Sequence, residues 1–237
     1  MLPVSLWENN VYFERAIDDF IGWLGHSTLS PEEVRAVIDE VEHANIDVHG
    51  YGSLALGQSL HEVSVQLRDR QLDDDERETV LGFAARILAQ PMELIAGVEP
   101  TLRDLAPHHD LVLLTKGHAE EQRLKIDRSG LGRYFDHLFV VPEKDVAVYR
   151  DVLGRLGSAA TATWMIGNSP RSDINPALAA GLGAVFIPHD QTWRLEHQDL
   201  DPAADGQRLL ILKRFTELGP LFSPSGSESA DRIGGTP

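Results

Sequence analysis

The chain has 237 residues, 42% of them hydrophobic, a formal net charge of -16 and no cysteine. This is length for one large domain or a core with an insert, with enough apolar content for a buried interior. The acidic balance argues against a nucleic-acid or anionic-membrane partner, which clustered Lys and Arg would have to hold, and the missing thiols exclude disulfides, thiolate metal sites and cysteine nucleophiles.

The spacing of Val11, Phe13, Ile17, Phe20, Ile21 and Leu24 predicts an amphipathic helix over residues 6–25, stopped by Gly25. Ser30-Pro31-Glu32-Glu33 reads as an N-cap, a proline at the first helical position and a capping-box glutamate, opening a helix to about Ala44. After the turn HGYGS a third helix is expected over about residues 54–70, and a fourth from Asp73 to near Pro91. The texture then changes. A short helix over 97–106 precedes the apolar run DLVLLT, too brief for a helix and read as a buried strand. A helix over 118–129, a strand at 137–141, a helix over 145–156, a strand at 162–166, a helix over 171–180 and a strand at 184–187 follow.

Such alternation with short connections implies right-handed crossovers and a doubly wound parallel sheet, an α/β core covered on both faces. Residues 207–222 add a further strand and helix, and the Ser/Gly/Pro-rich 223–237 reads as a disordered tail. The expected organisation is a core from 1–10 and 91–222, an inserted all-helical cap over 11–90, and the tail. No apolar run reaches the ~18 residues of a membrane span, and the N-terminus lacks a basic region followed by an apolar one, so a cytoplasmic protein is expected.

Candidate chemistry collects at the carboxyl ends of the predicted strands, where open α/β sheets place their ligands. Thr115 ends the first, with the Lys116 ammonium and the bare backbone N-H of Gly117 beside it; Lys144 lies after the second; Asn168 and Asp173 follow the third. Hydroxyl, N-H and ammonium donors suit phosphate oxygens, and a hard carboxylate suits Mg²⁺. Taken singly, the threonine is an ordinary turn hydroxyl and the charges are surface groups; their order at successive strand ends makes the case. The histidines at 49, 61, 118, 137, 189 and 197 have no metal-binding spacing, His108-His109 reads as a solvated turn, and the tryptophans at 7, 23, 164 and 193 read as core or cap-interface residues rather than stacking platforms. There is no G-x-S-x-G elbow and no glycine-rich nucleotide loop.

Three segments carry a family resemblance: LVLLTKG with Thr115, VVPEKD with Lys144, and GNSPRSDI with Asn168 and Asp173. In that order they resemble motifs two, three and four of the haloacid dehalogenase-like hydrolases that carry a helical cap after the first strand, over about residues 6–197. LWENN, HGYGS with Ser59 and Glu62 downstream, and QTWRLEH resemble one bacterial branch. The resemblance implies a Rossmannoid core and Mg²⁺-dependent phosphatase descent. Lys144 and Thr115 would serve catalysis, Thr115, Lys116, Gly117 and Lys144 the phosphate, and Asp173 with Asn168 the metal.

The family's first motif, D-x-D-x-[TV], departs. Aligned without a gap on Leu6-Trp7, Met1 stands at the nucleophile, Pro3 at the acid/base and Ser5 at the hydroxyl position. Neither Met nor Pro can attack phosphorus or shuttle a proton. The expectation is therefore a retained phosphate pocket with weak or absent Mg²⁺ binding, little or no hydrolysis, and a role in binding a small phosphorylated molecule or a partner. Two alternatives stay open. One is an active phosphomonoester hydrolase whose first motif is misread or replaced, with Asp18-Asp19 and Asp73 to Asp75 as the visible substitutes. The other is a structural or interaction protein with a vestigial pocket. Homo-oligomerisation is open as well.

Overall fold

A computed structural model describes residues 6–201 and 208–223. Met1, Pro3 and Ser5, and all but the first residue of the 223–237 tail, lie outside the described residues. The chain divides into two compact units. One is helical and takes residues 9–91 with 117–122; the other takes the described parts of 1–8, 92–116 and 123–237.

The helical unit contains α1 (Asn10–Leu24), α2 (Pro31–His49), α3 (Ser53–Arg68) and α4 (Asp74–Ala85). Its boundaries follow from local chemistry. Ser30 accepts from the Glu33 N-H while the Glu33 carboxylate accepts from the Ser30 N-H, and Asp73 and Glu76 repeat the exchange at the start of α4. The apolar stripe of α1, with Ile17 and Phe20 fully enclosed, packs on Ile38, Leu60, Val63 and Val80. Asp18 and Asp19 lie on its exposed side. Helix α2 outruns the expected end near Ala44 by five residues because Asn45, in its last turns, donates to Ser59 and Glu62 of α3.

The α/β unit contains α5 (Val98–Leu105), β1 (Val112–Lys116), most of α6 (Ala119–Ser129), β2 (His137–Val141), α7 (Val146–Leu156) and β3 (Trp164–Gly167). It continues through α8 (Asn175–Ala179), β4 (Gly183–Phe186), β5 (Leu209–Ile211) and α9 (Leu218–Phe222). Among the described residues the pairings between these strands are all parallel, β1 with β2 and β4 between β3 and β5, while Trp7 and Leu94 form an isolated antiparallel bridge. Among the described residues no ladder joins β1 to β3, yet the two strands share the same apolar layers. Leu113 and Ile166 face one core with Leu6, Trp7, Val98, Leu102 and Val185, while Leu114 and Met165 face the other with Tyr149, Val152 and Ala177. Burial on both faces is why these strands read as continuous apolar runs rather than alternating ones.

The expected helix over 171–180 opens differently from an ordinary first turn. Residues Pro170–Ile174 form a wide π-helical turn in which the Ser169 carbonyl accepts from both Asp173 N and Ile174 N, at 2.9 and 3.1 Å. Pro176 has no N-H to give, so the Ser172 carbonyl lacks its helical donor and accepts from the Tyr149 hydroxyl instead.

One half-buried acid in the helical unit is set against its surroundings. Arg35 is held by Glu14 and Asp39, and Glu42 on the same helix has an enclosed Oε2 that accepts no hydrogen bond. Burial pushes the Glu42 carboxyl from 4.5 up to about 7, with Arg35 pulling it back and Asp39 and Glu14 adding to the rise. The folded form thus keeps a proton that the unfolded chain has lost, so this contribution is complete below about 4.5 and disappears as pH rises through about 7. Glu42→Gln should gain stability relative to wild type as pH is raised from 5 to 8, seen as a widening difference in Tm between the two proteins.

Candidate functional site

The site in the α/β unit is built on the loop that leaves β3. Gly167 ends the strand, and a Cβ there would fall 2.3 Å from the Asp173 Cβ, so only glycine lets the strand end lie against that side chain. The wide turn after it folds Asp173 back over the strand. Its Oδ2 accepts from the backbone N-H groups of Asn168 and Ser169, both at 3.1 Å. Its Oδ1 takes the Lys144 ammonium, and the two side chains are only 3% and 8% exposed. Tyr149, fully buried on α7, donates its hydroxyl to the Ser172 carbonyl at 2.9 Å and anchors the turn from below.

Two buried charges this close are bound by opposing effects. Burial raises the Asp173 carboxyl above its ordinary value, while the Lys144 charge and hydrogen bond and the Ser169 N-H pull it down. Burial likewise lifts the Tyr149 phenol well above its usual range, with Asp173, Glu196 and Glu143 adding to the rise. It is therefore a fixed donor.

A second lysine closes the other side. Lys116, the last residue of β1, donates to Glu143 Oε1 at 3.1 Å, Ser172 Oγ at 2.9 Å and Glu196 Oε1 at 2.5 Å. Glu196 comes from a short 3-10 turn, Arg194–Glu196, and is itself buried. Its other oxygen accepts from Ser169 Oγ. Burial works to raise the Glu196 carboxyl, but the Lys116 charge and the donors Lys116, Ser169 and Ser172 hold it below its ordinary value.

The structure thus places Lys116, Lys144 and Asp173 around one loop, with Ser172 touching Lys116 and adjoining Asp173. Asn168 lends its backbone N-H to Asp173 and turns its side-chain amide to Thr192 Oγ1 at 2.8 Å. Thr115 is half-buried one residue before Lys116, in register with Val140 of β2. Gly117, with φ +128°, groups with the helical unit, where the Gln122 side chain lies against it. Glu143, Glu196, Ser169 and Ser172 were not singled out in the sequence, although VVPEKD, QTWRLEH and GNSPRSDI contain them.

Among the described residues this arrangement offers Mg²⁺ no assembled set of ligands. Among the described residues no group of three or more His, Asp or Glu side chains is placed to hold a metal. Both Asp173 oxygens are engaged, one by an ammonium that a divalent cation would have to expel, and the Asn168 side chain donates its NH₂ to Thr192. Glu143 and Glu196 are on Lys116. Asp73, a candidate substitute acid, is the cap of α4. Among the described residues no helix is long and apolar enough to cross a membrane.

Comparison with known proteins agrees with the architecture. The family profile of haloacid dehalogenase-like hydrolases matches residues 32–187. A crystal structure of a haloacid dehalogenase-like family hydrolase from Xanthomonas campestris is 30% identical, with a TM-score of 0.74 over 96% of this chain and 86% of that one. The HAD-hydrolase YfnB of Bacillus subtilis, crystallised bound to magnesium, is 18% identical with a TM-score of 0.60 over 92% of this chain and 94% of its own, and is alike in fold. A phosphoserine phosphatase of Thermus thermophilus is 30% identical over 97 residues, 39% of this chain. The match spans 38% of that protein's length.

Removing one member of the buried pair leaves the other uncompensated. Asp173→Asn is expected to cost about 3–5 kcal/mol in urea unfolding, and the double variant Asp173→Asn with Lys144→Met should be more stable than Asp173→Asn alone.

Proposed function

Because the chain belongs to the haloacid dehalogenase-like hydrolases, we propose that it works by binding a small phosphorylated molecule at the ends of β1, β2 and β3, with little or no hydrolysis. Phosphatase descent is supported by the similarity to a phosphoserine phosphatase. One observation carries the binding reading. Each carboxylate that the described residues bring to this cluster, Glu143, Asp173 and Glu196, is already held by a lysine, so none is poised to attack phosphorus. Met1 and Pro3 at the family's aspartate positions point the same way.

The ligand chemistry follows from the donors. The Lys144 ammonium carries three protons, of which Asp173 Oδ1 takes one, and the Thr115 hydroxyl stands at the end of the neighbouring strand. A phosphoryl group brought there would be met by a cation whose charge is already balanced by Asp173, so binding is expected to be modest in strength. It would not require a metal, because the role of a cation beside Asp173 is filled by Lys144.

A second reading, active phosphomonoester hydrolysis, is favoured by the same phosphatase similarity. Two measurements separate them. Inorganic phosphate titrated calorimetrically into the full chain should bind equally well in EDTA and in Mg²⁺, and Lys144→Met should weaken it by about tenfold or more, the scale of a lost hydrogen bond to a charged group. Turnover of an aryl phosphate should stay at the buffer rate; turnover that requires Mg²⁺ and vanishes in Asp173→Ala would establish the hydrolase reading instead.

A further inference from the structure

The second lysine of the site is committed more heavily than the first. An ammonium has three protons to donate, and Lys116 already has acceptors for all of them in Glu143, Ser172 and Glu196. The three are not equal. The Glu143 side chain is 38% exposed and the Ser172 hydroxyl is uncharged, whereas Glu196 is a buried carboxylate at the shortest distance. Among the described residues of the cluster, two ammonium groups face three carboxylates, Glu143, Asp173 and Glu196. An incoming phosphoryl dianion therefore meets a surplus of negative charge unless one carboxylate withdraws.

The placement of Glu196 makes it the one to withdraw. Asp173 is fixed by two backbone N-H groups of its own loop and by Lys144. Glu196 belongs to a separate segment, a single 3-10 turn whose carboxylate is held by side chains alone, Lys116 at the end of β1 and the Ser169 and Ser172 hydroxyls of this loop. Letting go of those partners costs no backbone hydrogen bond of β3 or of its loop. It would expose the Lys116 ammonium and the Ser169 hydroxyl together, two donors suited to phosphate oxygens.

We propose that Glu196 is an internal stand-in for the anion: it occupies the Lys116 and Ser169 donors that a phosphoryl group would use, and so sets the affinity of the site. This rests on the phosphate-binding reading above and goes further by naming the residue that limits it. The opposite role is a strut, in which the Lys116–Glu196 pair merely braces the loop, and the two roles predict effects of opposite sign.

The test is calorimetric titration of inorganic phosphate, in EDTA, into the full-length wild type, Glu196→Gln, Lys116→Met, the Lys116→Met/Glu196→Gln double variant and Lys144→Met. Glu196→Gln should bind phosphate at least about tenfold more tightly than wild type, the scale of a hydrogen bond to a charged group given back to the ligand. The double variant should bind no better than Lys116→Met, since the gain needs the released ammonium. Glu196→Asp, which keeps the charge but shortens its reach by one methylene, should shift affinity the same way by less, and serves if the glutamine variant does not fold. If Glu196→Gln binds as wild type does, or more weakly, while Lys144→Met still loses phosphate, the site is a phosphate site and the gating role of Glu196 is overturned. If none of the proteins binds phosphate, the phosphate reading falls and takes this one with it.

Discussion

The ion pair between Lys144 and Asp173 governs the construction of the site. Two opposite charges removed from water lose several kcal/mol of hydration each, and their attraction alone does not recover it unless the remaining valences are satisfied. The loop after β3 meets that demand. Two successive backbone N-H groups point at Asp173, a glycine at position 167 leaves room for the carboxylate, and a π-helical turn brings residue 173 back over the strand it has just left. Tyr149 holds the turn in place through the Ser172 carbonyl. Each of these details is costly or unusual alone, and each makes sense once the carboxylate must be buried beside a lysine.

The same constraint explains why the site is closed upon itself. Where one strand ends in Lys116 and the loop after the next carries Lys144, the acidic groups nearest by are drawn to them. Lys116 collects Glu143 and Glu196 as Lys144 collects Asp173. A metal would have to enter by expelling an ammonium from Asp173, and an anion by expelling a carboxylate from Lys116. The second exchange is the easier, because Glu196 lies on a segment held to the loop through side chains, whereas Asp173 is held by the loop itself. In the proposed reading, internal charge compensation sets which ligand chemistry this site accepts.

Much of the architecture could be read in advance because it is dictated locally. The capping residues Ser30 and Asp73 mark helix starts whatever surrounds them, and short apolar runs such as LVLL are buried on both faces wherever a parallel sheet forms. The positions of Thr115, Lys144 and Asp173 at successive strand ends follow from that alternation. What stayed hidden depended on partners far along the chain. Glu196 looks like any charged residue in QTWRLEH, and only its meeting with a lysine 80 positions earlier gives it a role. The extra turns of α2 likewise come from Asn45 finding α3.

By itself the sequence determined the order of elements, the parallel α/β class with its helical insert, and the residue types gathered at the strand ends, because periodicity, caps and turn residues act over a few positions. Only the tertiary structure decided which charges neutralise which, that Asp173 faces an ammonium, and that Lys116 is spoken for three times over. Electrostatic pairing depends on distances and on the exclusion of water between groups remote in sequence, and no local pattern encodes it.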